Sequence, residues 1–584
     1  MYPNRFSLRQ ISSQKFFVCL IIYIFVYTMI NPLWFTNSTY YVDSWIYWGA
    51  GDSPQLSYQN DFARTYYLQR YVVILPKIIA FQLAGSFYGQ LVVGIFWIFL
   101  CGFSLYKIAS RYFSNNMSII LVLLLLSDPV VMGNFGSSYT MGPTIAIYSL
   151  LMFALTSNIR HASNRRGTTL SITIGSTVAL LMNAYLLHGI AAFGIVCLYI
   201  LKFRKDFSPK VIKIILATFL VINILFQAFY TILSKDPIPF LLKQLLFGSN
   251  IATSQNPYGS NGFFDFWGNQ FASKLSYYWL SIFCLCILAL LCKFMGFSLN
   301  KYRFKNEELF VSLLLITYFA QTFFYSNIFG YSWVSCAMYL LKFFAILFFI
   351  NYAVEYFGSR VVGILLALIV CTLLILPNSY AIFPIPDLSI TKNQFWLIFV
   401  IGFAIFIFHK SVAPRLYRNF VSAIFSIFLL VFSVLFQNLP LFQEYSVPYE
   451  ASFNVAKRDY ERLASRRQAV LSISNSLSPT PRTWFTPTLN NPNPLSSSQL
   501  YLYSLISGEY GKHNCAQVDW AANYRSVIVS FDKPQLTTAL VNERYLNVCG
   551  FMAVDLPLEP RLAKQLHSVG GKIWELKRKP NLVN

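Results

Sequence analysis

Thirteen apolar stretches of the kind that cross a bilayer recur along the chain and constrain its fold more than any other feature. A transmembrane helix needs about 17–25 predominantly apolar residues. The stretches lie near residues 16–35, 88–108, 117–134, 139–157, 169–187, 189–203, 211–233, 275–294, 308–327, 334–355, 361–377, 394–409 and 420–437. They predict an α-helical polytopic membrane protein with about thirteen transmembrane helices. Short interior connections leave open whether 117–157 and 169–203 each form two full spans.

The composition supports this class. Of the 584 residues, 56% are hydrophobic and only 11% are charged. Soluble domains carry about 25% charged residues, so this chain lacks the polar surface that a soluble globule of its size needs. A soluble enzyme, a disordered chain and a fibrous protein are thereby excluded.

The chain has 45 Lys and Arg residues against 22 Asp and Glu residues, and the basic residues lie where a membrane topology requires them. No basic face or nucleic-acid-binding motif accompanies these cations, so a nucleic-acid partner is not expected. With the N-terminus in the cytoplasm, 21 cations fall in cytoplasmic loops and seven in outer loops, in agreement with the positive-inside rule. Thirteen spans then place the C-terminus outside.

Two domains follow from this map. Residues 1–437 form the transmembrane domain, and 438–584 form an exported C-terminal domain. The tail opens with a segment rich in Pro, Ser and Asn, which indicates a linker. Farther on, RSVIVSF is typical of a strand and PRLAKQLHSVGG of a helix with a glycine stop, so we expect a small α/β domain on the outer face.

Cysteine usage agrees with the predicted topology. Eight of the ten cysteines lie in apolar stretches, and only Cys515 and Cys549 lie in the tail. Two cysteines in one exported domain predict a disulfide. The chain has no CxxC, HExxH, Walker or GxGxxG motif, so neither nucleotide nor zinc chemistry has support in the sequence.

The first outer loop, residues 36–87, carries the candidate site. Asp43 lies in it shortly after the first apolar stretch, among several tyrosines and tryptophans. An aromatic belt at the membrane interface explains the rings but explains the acid poorly. A carboxylate at the membrane surface among apolar rings is costly unless it is used.

Farther along the same loop, FARTYYLQRYVVILPKIIAFQL has apolar residues at helical spacing, interrupted by Arg64, Arg70 and Lys77. This pattern predicts an amphipathic segment that presents cations at the depth of lipid headgroups. The alternative is that the cations only snorkel to the headgroups. An acid and cations in one membrane-surface loop favour a phosphorylated lipid substrate.

The chain resembles the integral-membrane glycosyltransferases of the C superfamily in three features that follow one another. These are a first span, an Asp within D-x-W-x-Y-x-G (from Asp43) and an R-Y-x-x-x-x-P helix (from Arg70). These enzymes use polyprenyl-phosphate sugars and include protein mannosyltransferases, aminoarabinose transferases and oligosaccharyltransferase catalytic subunits. The motifs cover residues 1 to about 200, and the remainder of the chain is similar only in architecture. The greatest similarity is to bacterial multi-span members of unassigned acceptor.

The resemblance implies an inverting glycosyltransferase in the bacterial inner membrane. A sugar would pass from a polyprenyl-phosphate donor to a glycan, lipid or protein acceptor on the periplasmic face. Asp43 would be the general base, and Asp128 would match the second acid of the family, unless it is a turn residue before a proline. Arg70 is the first candidate for the donor phosphate, with Lys77 and Arg64 behind it.

Further candidates come from single residues. Lys342 lies within the tenth apolar stretch, where it would reach the lipid phosphate or snorkel. His188 either helps to bind substrate or makes a structural hydrogen bond. Asp265, in an aromatic segment, either flanks a sugar or belongs to a re-entrant segment. Trp45 and Tyr47, in the loop motif, are further candidates for substrate binding.

Three other functions are alternatives to sugar transfer. A secondary transporter or flippase needs paired acids or broken helices at the bilayer midplane and two corresponding halves, which the sequence does not show. A polysaccharide polymerase or ligase usually has its large outer loop late in the chain, and a non-catalytic scaffold is the remaining possibility. The sugar, the acceptor and the dependence on a divalent cation are left open.

Overall fold

The computed structural model describes residues 5–30, 32–37, 42–54, 69–126, 129–157, 164–204, 207–234, 242, 286–287, 290, 305–321, 336–356, 453–477, 482–485, 526–530 and 551–578. This part of the chain is mostly helical, as expected. The helices of the apolar region are α1 (Arg5–Ile30), α2 (Val42–Asp52), α3 (Tyr71–Ala109), α4 (Asn115–Leu126), α5 (Pro129–Gly136), α6 (Met141–Thr156), α7 (Asn164–Ala184), α8 (Leu186–Lys202), α9 (Pro209–Ser234), α10 (Lys305–Gln321) and α11 (Met338–Tyr356).

Several predicted stretches coincide with single helices. The stretch at 211–233 is α9, and 169–187 and 189–203 are α7 and α8, separated at Tyr185. The stretches near 275–294, 361–377, 394–409 and 420–437 lie outside the described residues, apart from 286–287 and 290.

The stretch predicted at 117–134 contains two helices rather than one. Helix α4 ends at Leu126, and α5 begins at Pro129 and has only 8 residues. Proline fits the first position of a helix, where its missing N–H is not needed. Residues 127–128, between the two helices, lie outside the described residues.

Helix α3 extends into the loop predicted at 36–87. It begins at Tyr71 and ends at Ala109, with one non-helical residue, Gly85, at φ 74° and ψ 163°. A positive φ is accessible to glycine because it lacks a Cβ. The part of α3 after Gly85 is long enough to cross the hydrocarbon core, which takes about 20 residues. From Tyr71 on, the predicted amphipathic segment is the first part of α3, and Arg70 and Lys77 are buried within the protein.

Two helices present long apolar faces to the surroundings. Within the described residues, Tyr71–Ala109 and Pro209–Ile232 are long and apolar enough to cross a membrane, and four shorter helices are also apolar. On α9 the exposed side chains include Leu220, Ile224 and Ile232. A soluble protein rarely exposes such a continuous apolar face, whereas a bilayer solvates it.

The C-terminal end of α3 is tied to two other helices by Arg111. Its guanidinium donates to Glu307 Oε1 at 2.9 Å, Thr156 Oγ1 at 2.7 Å and Ser157 Oγ at 2.9 Å. Burial, together with the buried carboxylate of Glu307, raises the pKa of Tyr112. We call this group the Arg111 cluster.

Helix α1 joins the same end of the bundle. Lys15 Nζ donates to Asn116 Oδ1 at 2.8 Å, and Lys107 Nζ donates to Ser13 Oγ at 2.8 Å. The segments that meet here all lie on the side that the cation distribution places in the cytoplasm.

The tail contains helix α12 (Phe453–Ser476), helix α13 (Pro560–Ser568) and four strands: β1 (Arg482–Phe485), β2 (Ser526–Ser530), β3 (Phe551–Asp555) and β4 (Lys572–Arg578). The sheet order is β1-β2-β4-β3, with β1 and β2 parallel and the other pairs antiparallel. Strand β2 and helix α13 lie where RSVIVSF and PRLAKQLHSVGG predicted them. Gly570, at φ 71°, follows α13 and supplies the predicted stop.

Helix α12 connects this sheet to the apolar region. Its C-terminal part contributes Ile473 to a cluster with Leu556, Leu566 and Ile573. Near its start, the Tyr460 hydroxyl accepts a hydrogen bond from the Asn37 backbone N–H at 2.9 Å. The Tyr460 ring also packs edge-on against Trp48 and Phe87, with centroids 5.4 Å apart in each case. The tail therefore contacts the region of α2 and the part of α3 just after Gly85.

The predicted disulfide between Cys515 and Cys549 falls outside the described residues. If both cysteines are exported and bonded, they close a loop that stabilises the tail by roughly 3 kcal/mol, with Cα atoms within about 7 Å. We expect thiol alkylation of the denatured, unreduced protein to leave both residues unmodified, and alkylation after reduction to modify both. Modification of both without reductant would show that the bond is absent.

Candidate active site

Helix α2 carries the first candidate residue, Asp43, at its second position. Tyr47 lies one helical turn farther on, and the backbone positions 43 and 47 are on the same side of the helix. At Gly51, an added Cβ would lie 2.6 Å from Lys77 Cβ, so the glycine permits the close approach of α2 to α3. This contact brings the residues of the D-x-W-x-Y-x-G motif to the start of α3.

Arg70 is the N-cap residue of α3. Its backbone is non-helical, at φ −86° and ψ 65°, and its carbonyl accepts from the N–H groups of Val73 and Ile74. The side chain is 2% exposed. A cation at this end of a helix is unfavourable because the helix dipole is also positive there, and a nearby anion relieves both charges.

Three tyrosine rings enclose the guanidinium of Arg70. Its Cζ lies 5.7 Å from the ring centroid of Tyr47, 6.0 Å from that of Tyr139 and 4.9 Å from that of Tyr185. Arg70 Nη1 also donates to the Tyr47 hydroxyl at 2.6 Å. The faces of the rings attract the cation and restrict its rotation. We call Arg70 and these three tyrosines the Arg70 cluster.

The elements that supply the cluster are distant in sequence. Tyr47 comes from α2, Tyr139 from the connection between α5 and α6, and Tyr185 from the break between α7 and α8. Each is in, or beside, a connection that the predicted topology places on the outer face. The cluster is therefore assembled at a single end of the bundle.

Lys77 is a neighbour of the cluster, two turns along α3. Its Nζ donates to the carbonyls of Val73 at 3.0 Å and Ser138 at 2.9 Å, and the residue is 1% exposed. Ser138 in turn donates from Oγ to Gln90 Oε1 at 2.8 Å. Lys77 thus holds the connection that bears Tyr139 against α3.

His188 is linked to the cluster through Tyr185. The two rings are 5.6 Å apart, and the His188 ring is at the same distance from Tyr148. The His188 carbonyl accepts from the Tyr148 hydroxyl at 2.9 Å, and its Nε2 lies 3.6 Å from Cys336 Sγ. The residue is 2% exposed, so its ring is buried beside the cluster.

For the remaining candidate residues that it describes, the structure gives a position in the chain or a burial. Lys342 is buried in α11, with 1% exposure. Asp43 and Trp45 are described by their positions in α2. Arg64, Asp128 and Asp265 lie outside the described residues, so the structure brings together Arg70, Tyr47, Lys77 and, through Tyr185, His188.

Four residues near the cluster escaped the sequence analysis: Tyr139, Tyr185, Asn183 and Gln69. Asn183 was detectable as an amide within the apolar run LLMNAYLL, since polar side chains in such runs are costly unless they are bonded. The two tyrosines resembled interfacial aromatics. Gln69 is fully buried, and its side-chain amide has no hydrogen-bond partner among the described residues.

The chemistry that this arrangement supports is anion binding beside a carboxylate-bearing helix. A fixed guanidinium provides two parallel donors for phosphate oxygens, which makes arginine well suited to a phosphorylated ligand. Within the described residues no three His, Cys, Asp or Glu side chains group as a metal site would require.

Comparison with known proteins gives matches to solved structures alone. No family model matches the chain, and no curated protein matches it significantly. ArnT from Cupriavidus metallidurans bound to undecaprenyl phosphate is similar at 11% identity and TM-score 0.48, over 96% of this chain and 97% of that one. The Archaeoglobus fulgidus oligosaccharyltransferase AglB, in complex with an inhibitory peptide and a dolichol-phosphate, is similar at 11% identity and TM-score 0.41, over 91% of this chain and 71% of that one.

A second Archaeoglobus fulgidus oligosaccharyltransferase structure, tethered to an acceptor peptide, is similar at 11% identity and TM-score 0.38, over 92% of this chain and 72% of that one. Oligosaccharyltransferases are among the enzymes that the motifs of the first outer loop resemble.

Proposed function

We propose that the chain is a membrane glycosyltransferase that moves a sugar from a polyprenyl-phosphate donor to a glycan, lipid or protein acceptor. The reaction takes place on the outer face of a bacterial inner membrane. Asp43 is the general base, and Arg70 binds the donor phosphate, with Lys77 as a second cation. Arg64, Lys342 and Asp128 are further candidates for the site, as are Trp45, Tyr47, His188 and Asp265 for the substrates.

The Arg70 cluster is the observation that carries this proposal. A buried cation at the positive end of α3, held by aromatic rings, suits a ligand that brings negative charge. An apolar surround suits a lipid, and the adjacent α2 supplies a carboxylate one turn from a residue of the cluster. A phosphorylated lipid beside a general base is the combination that this transfer requires.

The chemical step follows from these roles. An acceptor hydroxyl oxygen attacks the anomeric carbon of the sugar while Asp43 takes the hydroxyl proton. The bond between the anomeric carbon and the phosphate oxygen breaks, and polyprenyl phosphate leaves with the bonding pair. Arg70 stabilises the charge that grows on the leaving phosphate. One displacement of this kind inverts the configuration at the anomeric carbon.

The positions of the Arg70 and Arg111 clusters support the proposed orientation of the chain in the membrane. The Arg70 cluster and Tyr460 join segments that the cation rule places outside, whereas the Arg111 cluster joins segments that it places inside. The two clusters lie beyond opposite ends of α3. A cytoplasmic N-terminus and an exported C-terminal domain fit this separation.

Reporter fusions test the sidedness. A fusion after Lys205 should report a cytoplasmic position and a fusion after Asn438 an exported one, because an odd number of spans separates them. Alkaline phosphatase and green fluorescent protein, which are active on opposite sides, should give complementary readings at each site. Both sites on the same side would contradict the topology.

Sugar transfer itself is tested in a host from which the gene is deleted. Mass spectrometry of the cell envelope should show a glycan, lipid or protein that has lost one sugar, and the full chain should restore it. Membranes containing the chain should then release polyprenyl phosphate from the lipid-linked sugar. Movement of the intact lipid-linked sugar between leaflets, without cleavage, would instead indicate a flippase.

A further inference from the structure

The break between α7 and α8 lies directly against the start of α3. Helix α7 ends at Ala184, and α8 begins at Leu186, with Tyr185 in an extended conformation between them. Asn183, in the last turn of α7, is fully buried. Both residues contact the backbone or side chain of the segment around Arg70, although more than 100 residues separate them in sequence.

Asn183 brackets Arg70 with two hydrogen bonds. Its Nδ2 donates to the carbonyl of Gln69 at 2.9 Å, and its Oδ1 accepts from the N–H of Val72 at 2.8 Å. One amide therefore binds the backbone on both sides of Arg70. It also satisfies one of the N–H groups that the first turn of a helix leaves without an intrahelical partner.

Tyr185 acts on the side chain of the same residue. Its ring centroid is 4.9 Å from Arg70 Cζ, nearer than those of the other two rings in the cluster. Two residues of one helix break thus hold both the backbone and the guanidinium of Arg70.

Arg70 needs this support because a buried cation at the start of a helix is unfavourable by itself. A cation is repelled by the positive end of α3, and its burial removes the water that would compensate. The backbone of Arg70 is non-helical, at φ −86° and ψ 65°, and its guanidinium lies among the three rings of the cluster.

We infer that Asn183 and Tyr185 are positioning residues, which hold the Arg70 guanidinium in place for the phosphate of the donor. The inference rests on the proposed function, because it takes Arg70 as the phosphate-binding residue. Neither residue needs to touch the donor. They increase the fraction of molecules in which the guanidinium has the geometry that binds the phosphate.

The test compares two lipids that differ only in the phosphate. Full-length protein in nanodiscs is titrated with undecaprenyl phosphate and with undecaprenol, and the bound fraction is measured by native mass spectrometry. Wild type should bind the phosphate more tightly. Asn183→Ala should weaken phosphate binding about 10-fold, the loss of two ordinary hydrogen bonds, and leave undecaprenol binding unchanged.

Two substitutions at Tyr185 distinguish the contribution of its ring to phosphate binding from that of its hydroxyl. Tyr185→Leu should weaken phosphate binding by roughly 3- to 10-fold, because the cation–π contact is lost, whereas Tyr185→Phe should retain most of it. This pair keeps the inference testable if Asn183→Ala fails to fold. In transfer assays, Asn183→Ala and Tyr185→Leu should raise KM for the donor more than they lower kcat.

Asn223→Ala is the matched control. Asn223 is a partly buried amide on α9 that donates to Phe219 O of its own helix, at 2.9 Å. Its substitution should leave the phosphate preference intact. Equal loss of both lipids in Asn183→Ala and Tyr185→Leu would reveal a general packing defect and overturn the inference.

The binding measurements distinguish a wrong positioning role for Asn183 and Tyr185 from a wrong donor site. If Arg70→Ala abolishes the preference for the phosphate while Asn183→Ala and Tyr185→Leu keep it, the positioning role is wrong and the donor site stands. If wild type does not distinguish the two lipids, the proposed donor site is wrong and the positioning role falls with it.

Discussion

Asp43→Asn lowers the rate of sugar transfer by about 10²–10⁴-fold, the usual contribution of a positioned proton acceptor. The amide keeps the shape of the carboxylate and much of its hydrogen bonding, but it cannot take the proton of the acceptor hydroxyl. Protein level and affinity for the donor should change little. The measurement is the initial rate of polyprenyl phosphate release at saturating donor, with binding measured separately.

Asp52→Asn is the matched control for this variant. Asp52 is the last residue of α2, the helix that carries Asp43, and its Oδ2 accepts a hydrogen bond from Ser53 Oγ at 2.8 Å. The same chemical change should there leave transfer near the wild-type rate. Wild-type transfer by Asp43→Asn would remove Asp43 from the catalytic role.

Arg70→Ala should weaken donor binding and turnover together, with a loss of about 10²-fold or more in kcat/KM. The contact with phosphate exists in the ground state and strengthens as charge grows on the leaving group, so both parameters change. Arg70→Lys should recover only part of the loss, because a lysine keeps the charge but lacks the planar fork that binds two phosphate oxygens. Steady-state kinetics with varied donor concentration provides the measurement.

Arg165→Ala provides the comparison for Arg70→Ala. Arg165 is an exposed cation near the start of α7, on the predicted cytoplasmic side. Its removal lowers the net charge equally and should leave both parameters unchanged. The two site variants should also differ from each other, since Asp43→Asn alters turnover alone. An unchanged KM and kcat for Arg70→Ala would contradict its assignment.

The sequence predicted the elements whose physical cause is local. The length of apolar stretches predicted α7, α8 and α9, and the segment RSVIVSF, with three consecutive β-branched residues, predicted β2. The glycine after α13 adopts the positive φ expected of a helix stop. Arg70 and Tyr47 were selected from short motifs in one loop, and the structure joins them by a hydrogen bond.

Contacts between distant segments could not be predicted in this way. Tyr139, Asn183 and Tyr185 reach Arg70 only because three connections converge at one end of the bundle, and a single sequence does not reveal such convergence. The first part of α3 was misjudged for a related reason. Its cations suggested exposure, whereas the tertiary structure buries Lys77 against the carbonyl of Ser138.

The central claim is that Arg70 binds the phosphate of a lipid-linked donor beside Asp43. An experimental structure of the full chain with undecaprenyl phosphate tests it most directly. We expect a phosphate oxygen within about 3 Å of a guanidinium nitrogen of Arg70, the length of a charge-assisted hydrogen bond, with the phosphate beside α2, the helix that carries Asp43. A phosphate bound elsewhere, with the Arg70 cluster unchanged and empty, would contradict the claim.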